Sequence, residues 1–230
     1  MPGLDFVTED QIWSSAYAAA CHLRDTVRLS TDRKVYVVGQ QGLQAEIEAV
    51  GYTVLGGPAH AQARLGKVPD VFEIDPKVGA VVVGFDRDIN YWKLTYATMC
   101  AREIDGCHFI ATNRDALTHL NNDQEFPGGG TMVAALATSI GREPDVAGKP
   151  SPLLVHAVRH STGLDESAPA CMIGDRLDTD IVFGNTTGMT TLLVLSGVTR
   201  LEHVTDELAP ESQPTLIAPS LASLAEAMRE

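Results

Sequence analysis

The sequence predicts an α/β protein in which a mainly parallel sheet is flanked by helices. Three observations carry this. Short apolar runs of strand type, "KVYVVG", "GAVVVGFD" and "ACMIGD", close on a glycine or an aspartate. Between them lie stretches whose apolar residues recur every three or four positions, the helical period. The two kinds alternate along the chain, the pattern of parallel strands whose functional groups collect at their C-terminal ends.

In order, Thr8-x-x-Gln11 has capping-box spacing and opens an expected helix with Ile12, Ala16, Ala19, Ala20 and Leu23 on one side. "KVYVVG" is a strand ending at Gly39. Leu43, Ile47 and Val50 form a helical stripe stopped by Gly51. "YTVL" and "GAVVVGFD" read as strands, "YWKLTYATMCARE" as a helix and "CHFIAT" as a further strand. In "FPGGGTMVAALATSIG" Thr131 is the expected N-cap. After "GREPDVAGKPSP" comes the helix "PLLVHAVRHS", with Pro152 in its first turn. "ACMIGD" and "TTLLVLSG" read as buried strands with a helix between them. A last helix from Ser220 carries Leu221, Leu224 and Met228 inward. The division is expected just before Gly148, giving residues 1–147 and 148–230.

Bulk properties narrow the function. A chain of 230 residues suffices for two modest lobes and buries roughly 70–75% of its unfolded surface. Hydrophobic residues make up 44%, mean hydropathy is +0.01, and no apolar run approaches the ~20 residues of a membrane span. The opening "MPGLDFVTEDQ" lacks the basic and apolar regions of a secretory signal. A net charge of −13 argues against nucleic acid and anionic membranes as partners, since phosphate backbones demand clustered lysine and arginine. Cys21, Cys100, Cys107 and Cys171 form no C-x-x-C pair or zinc spacing, so a reduced, cytoplasmic chain is expected. Cys171, within an apolar run, is expected to be a small core residue.

The chemistry concentrates late in the chain. Asp175 follows a strand directly, and Asp180 falls in the first turn of the next helix. The two can face one Mg²⁺, as two oxygen ligands or as one ligand and one holder of a metal-bound water. A purely structural strand–Gly–Asp turn is the alternative. Asp178 is expected to face solvent or cap the helix. Lys149, held extended by the proline after it, can neutralise a phosphate dianion; a surface lysine in a turn is the plainer reading.

With these residues in this order the sequence resembles the haloacid dehalogenase superfamily, in its phosphoglycolate/pyridoxal/4-nitrophenyl phosphatase branch. "GKPSP" looks like that family's third motif and "MIGDRLDTDI" its fourth. The likeness extends through "LLVLSGVT" downstream and "KVYVVG", "AVVVGFD", "IATNRD" and "FPGGGTM" upstream. The resemblance implies a partial Rossmann-like core (148–230) with a large α/β cap (1–147), and hydrolysis of a small phosphorylated metabolite, 2-phosphoglycolate foremost. It implies Mg²⁺ held by Asp175 with Asp180 supporting the metal shell, a phosphoryl contact from Lys149, and a homodimer formed through the cap. The loop "NRDALTHLNND" looks like the substrate-selecting region, with His119 near a substrate-contacting histidine.

One departure matters. Family catalysis uses a D-x-D-G strand whose first aspartate attacks phosphorus, and a second strand ending in Ser or Thr; both belong ahead of the cap. Neither is found there, so an N-terminally truncated member, inactive alone, is expected, with the flank of "ACMIGD" left as an unpaired edge where the resemblance places the missing strand. An internal substitute must be weighed: "AVVVGFDRD" offers Asp86-x-Asp88 and "HFIATN" ends near Thr112. Asp88 is followed by Ile89 rather than glycine, and the first 79 residues would then have no role. The non-catalytic alternative is a truncated paralogue that binds phosphorylated metabolites or pairs with a full-length relative.

Overall fold

The computed structural model describes residues 7–8, 11–68, 71–121, 124–165 and 167–227. The chain divides into two compact units, Met1–Gly148 and Lys149–Glu230.

The first unit is built on α1 (Ser15–Cys21), β1 (Lys34–Val38), α2 (Gln41–Ala49), β2 (Thr53–Gly56), β3 (Val78–Val83), α3 (Tyr91–Glu103), β4 (His108–Ala111), β5 (Leu117–His119), β6 (Glu125–Pro127), α4 (Gly129–Ile140) and β7 (Asp145–Val146). Five strands form one sheet in the order β2-β1-β3-β4-β7, every pair parallel. All six residues of β3 are buried, as a central strand covered on both faces requires. The period of two sends Tyr36, Val38, Val81, Val83 and Phe109 to one face. There Ala97 and Cys100 of α3 and Met132, Val133, Leu136 and Ile140 of α4 cover them. Burial holds the Cys100 and Cys107 thiols neutral, pushing them up to about 12 and about 11.

An aromatic cluster joins β1 to α3. Tyr36 stacks on Tyr96 with ring centroids 4.4 Å apart, and its hydroxyl meets His60 Nδ1 at 3.0 Å. Phe72 and Trp92 complete the group. Where the unit ends, the Gly148 N–H donates to the Thr112 carbonyl at 2.8 Å. A Cβ on Gly148 would lie 3.0 Å from that of Ser15, so the chain leaves the unit beside the start of its first helix.

The second unit holds α5 (Leu153–Thr162), β8 (Cys171–Gly174), α6 (Val182–Thr186), β9 (Thr190–Val194), β10 (Leu216–Ala218) and α7 (Leu221–Ala227). Its sheet runs β10-β9-β8, all parallel. Leu192 and Leu193 fill its core. Arg159 of α5 is buried and donates to the carbonyls of Asp165 and Ala168, tying down the chain that leads into β8.

Several expectations are corrected. Thr8 and Gln11 do bond to each other, but the helix starts at Ser15, capped by the Ser14 hydroxyl on the Tyr17 N–H at 3.0 Å, and Ile12 is exposed. From His22 to Val27 the helix continues with π-type spacing. Thr131 is not an N-cap: α4 begins two residues earlier behind Gly128, and the Thr131 hydroxyl reaches the Ala116 carbonyl instead. Strand β8 is an edge of its sheet, as expected for "ACMIGD", and on it Cys171 and Ile173 are exposed rather than core residues. Leu221 is exposed as well, and Met228 lies outside the described residues. The hairpin β5–β6 was not anticipated.

Candidate active site

Within the second unit the sheet delivers Asp175 one residue beyond β8, and a π-type turn over Leu177–Ile181 carries Asp180 back beneath it. Asp180 is 4% exposed. Its Oδ2 accepts the backbone N–H groups of Asp175 and Arg176, at 3.1 and 3.2 Å. Its Oδ1 accepts Lys149 Nζ at 2.6 Å. One buried carboxylate therefore fixes both the turn that presents Asp175 and the ammonium of Lys149, whose side chain keeps 39% exposure. Gly174 permits this closeness, because a Cβ there would overlap the Asp180 carboxylate.

Asp175 is held from the other side by the connection after β9. Its Oδ2 accepts the Val198 N–H at 2.8 Å, and its carbonyl accepts the Thr199 N–H at 3.0 Å. Among the described residues no donor reaches Asp175 Oδ1. Asp178 pairs with Arg176 and is exposed. The lysine and both aspartates thus converge at one end of β8, with Lys149 neutralising Asp180 and one oxygen of Asp175 to spare. The Val198 contact was missed in sequence; its signal was Gly197, a glycine within "LSGVT".

Residues 146–224 match a family model described as HAD-hydrolase-like. Phosphoglycolate phosphatase 2 of Arabidopsis thaliana is 48% identical over 206 residues, covering 89% of this chain and 68% of that protein. The 4-nitrophenylphosphatase of Schizosaccharomyces pombe is 36% identical, covering 94% and 72%. This chain belongs to the haloacid dehalogenase superfamily. Its place there is in the phosphoglycolate and 4-nitrophenyl phosphatase branch.

Other haloacid dehalogenase relatives agree. A p-nitrophenyl phosphatase from Archaeoglobus fulgidus superposes with a TM-score of 0.74 at 31% identity, covering 96% of this chain and 76% of that one. A glycerol phosphate phosphatase from Mycobacterium tuberculosis, solved with magnesium, gives 0.76 at 32%, covering 95% and 59%. The chain spans 60% of the length of the chloroplastic phosphoglycolate phosphatases 1A and 1B of Arabidopsis, to which it is 47% identical.

The remaining sequence candidates lie in the first unit. His119 ends β5, in register with Glu125 of β6. Asp86 is fully buried and paired with Lys93 at 2.7 Å, each side chain 1% exposed. A carboxylate neutralised by its own lysine and closed to solvent has no path to a phosphate ester, which removes the Asp86-x-Asp88 alternative. A long helix able to cross a membrane is absent among the described residues.

Proposed function

We propose that this chain carries the metal- and phosphate-binding half of a Mg²⁺-dependent phosphomonoesterase acting on a small phosphorylated metabolite, 2-phosphoglycolate foremost. The observation that carries the reading is the Lys149–Asp180–Asp175 arrangement at the end of β8. Asp180 takes one of the three Lys149 ammonium donors, leaving two for phosphoryl oxygens. The ammonium then neutralises charge that grows on the phosphoryl group in the transition state.

The donor set suits a hard cation. Asp175 offers one carboxylate oxygen, and Mg²⁺ commonly takes one or two carboxylates while keeping waters. Among the described residues no group of three or more His, Cys, Asp or Glu side chains forms a complete cage. Asp175 would hold the metal, with Asp180 fixing the turn that presents it. A bound divalent cation supplies Lewis-acid neutralisation of the phosphoryl oxygens. Residues 1–147 act in this reading as the cap over a core of residues 148–230. His119 contacts substrate, the cap mediates a homodimer, and the setting is cytoplasmic.

The 230 residues contain no D-x-D-G segment, so the attacking aspartate of the family is not among them. As it stands, the chain is expected to turn over slowly or not at all, and to bind phosphorylated metabolites without cleaving them. The test measures phosphate release from 2-phosphoglycolate, pyridoxal phosphate and 4-nitrophenyl phosphate, with Mg²⁺ and with chelator. It compares this chain with one extended at its front by the corresponding segment of the 48%-identical relative, long enough to supply both the D-x-D-G strand and the Ser/Thr strand. The extended protein should show Mg²⁺-dependent release fastest on 2-phosphoglycolate, and this chain at least ~10³-fold less. Comparable release by both would overturn the dependence on that segment. Silence of the extended protein on every ester would overturn the phosphatase reading.

A further inference from the structure

The Asp175 carboxylate is gripped by a segment to which the proposed chemistry gives no part. Residues Gly197, Val198 and Thr199 open the long connection between β9 and β10. Two successive amides of this segment meet one residue: Val198 N–H donates to Asp175 Oδ2 at 2.8 Å and Thr199 N–H to its carbonyl at 3.0 Å. From the opposite side the Asp175 N–H donates to Asp180 Oδ2. Main chain and side chain are thus fixed together, and the carboxylate has one rotation at which Oδ2 meets Val198. At that rotation Oδ1 is the oxygen left over.

Gly197 makes the approach possible. A Cβ there would fall on Asp175, with Oδ2, Cγ and Cβ as its three nearest atoms, so any side chain displaces the carboxylate. The rest of the connection is wired in place. Gln213 Nε2 donates to the Thr205 carbonyl at 2.9 Å, while Asn185 Nδ2 on α6 donates to the carbonyls of Glu211 and Gln213, both at 2.8 Å. The segment that reaches Asp175 therefore starts from a braced loop.

We propose that Gly197–Thr199 is a positioning clamp: it sets the rotation of the Asp175 carboxylate so that Oδ1 faces the incoming cation, and Gly197 is the residue that admits it. This rests on the reading of Asp175 as a metal ligand. Partners that orient a ligand in this way are worth about ten- to a hundred-fold in metal affinity.

The test uses the intact chain with Mn²⁺ as probe, followed by electron paramagnetic resonance, and amide hydrogen exchange by NMR. Val198 is 48% exposed, so its amide should exchange quickly unless Asp175 holds it. Slow exchange is expected at Val198 and Thr199, and Asp175→Ala should release Val198 while leaving Thr199 protected. Gly197→Ala should weaken Mn²⁺ binding ~10-fold or more. The control is Gly163→Ala, at a positive-φ site with open space around it, which strains the same unit but should leave Mn²⁺ affinity unchanged. Fast Val198 exchange in the parent, or equal Mn²⁺ affinity in parent and Gly197→Ala, overturns the clamp. Slow Val198 exchange in a parent that binds no Mn²⁺ is a separate result: it overturns the reading of Asp175 as a metal ligand, and with it the role of the clamp toward a cation, while the grip of Val198 on the carboxylate stands.

Discussion

Replacing Lys93 by methionine tests the buried ion pair of the first unit. Lys93 sits in the first turn of α3, where Asn90 caps its N–H, and its ammonium lies 2.7 Å from Asp86 Oδ2. The other Asp86 oxygen accepts the Asp88 N–H at 2.9 Å. With both side chains 1% exposed, water cannot take over the role of either partner. Methionine, one atom shorter, keeps most of the apolar stem and removes the charge, stranding a carboxylate in the interior. Breaking a buried pair in this way costs about 3–5 kcal/mol, which at this size lowers the melting temperature by roughly 10 °C. Urea unfolding followed by circular dichroism reads the loss directly. Adding Asp86→Asn removes the stranded charge yet keeps an acceptor for the Asp88 N–H, so the double variant should regain at least ~1 kcal/mol over Lys93→Met. A loss below about 1 kcal/mol in Lys93→Met, or strict additivity in the cycle, would refute the account of Asp86 as a structural residue held by its lysine.

Two further outcomes follow from burial. Leu136 of α4 is fully buried beneath the sheet, so Leu136→Ala should destabilise by ~2–5 kcal/mol in denaturant titrations. His22 and His60 are both lowered from the ordinary imidazole value of 6.5, His22 by burial and His60 by burial and then the Lys93 charge. Below 6.5 the unfolded chain takes up their protons first. The stability they carry is therefore complete above that pH and is lost as pH falls from it toward the lowered native values, with a slope of at most ~1.4 kcal/mol per pH unit for each histidine. Melting curves at pH 7.5 and 5.5 should show the drop, and His60→Gln should reduce it; a variant with an undiminished drop would show that His60 carries none of it.

What could be read from sequence depended on whether the signal was local. "GAVVVGFD" and "TTLLVLSG" announce themselves as covered strands, and Leu43 and Ile47 mark the inward side of α2, because each pattern is complete within a few residues. Cys171 and Ile173 misled for the opposite reason. The same apolar run serves a central or an edge strand; the open flank of "ACMIGD" followed from the family's strand order, but which of its side chains that flank uncovers did not. The start of α4 was misplaced at Thr131 because a hydroxyl is a familiar capping signal. Glycine was chosen there by crowding instead: side chains at Gly128 and Gly130 would strike the carbonyls of Asp115 and Arg114. At the candidate site, the order of Lys149, Asp175 and Asp180 was legible. The division of labour was not, since only the folded turn shows Asp180 spending its oxygens on Lys149 and two amides. Ile89 after Asp88 already spoke against Asp86 as a nucleophile; what the sequence did not show is its partner Lys93, seven residues on, which the turn between β3 and α3 brings to it.

The adjacency of Ser15 and Gly148 has a consequence of another kind. A segment whose entry and exit touch can be spliced between two neighbouring positions of a host chain without stretching it. The first unit is therefore a detachable cassette in the topological sense. Joining its two ends through a short linker and reopening the chain at an exposed turn, such as that around Gly106, would give a circular permutant with the same five-stranded sheet.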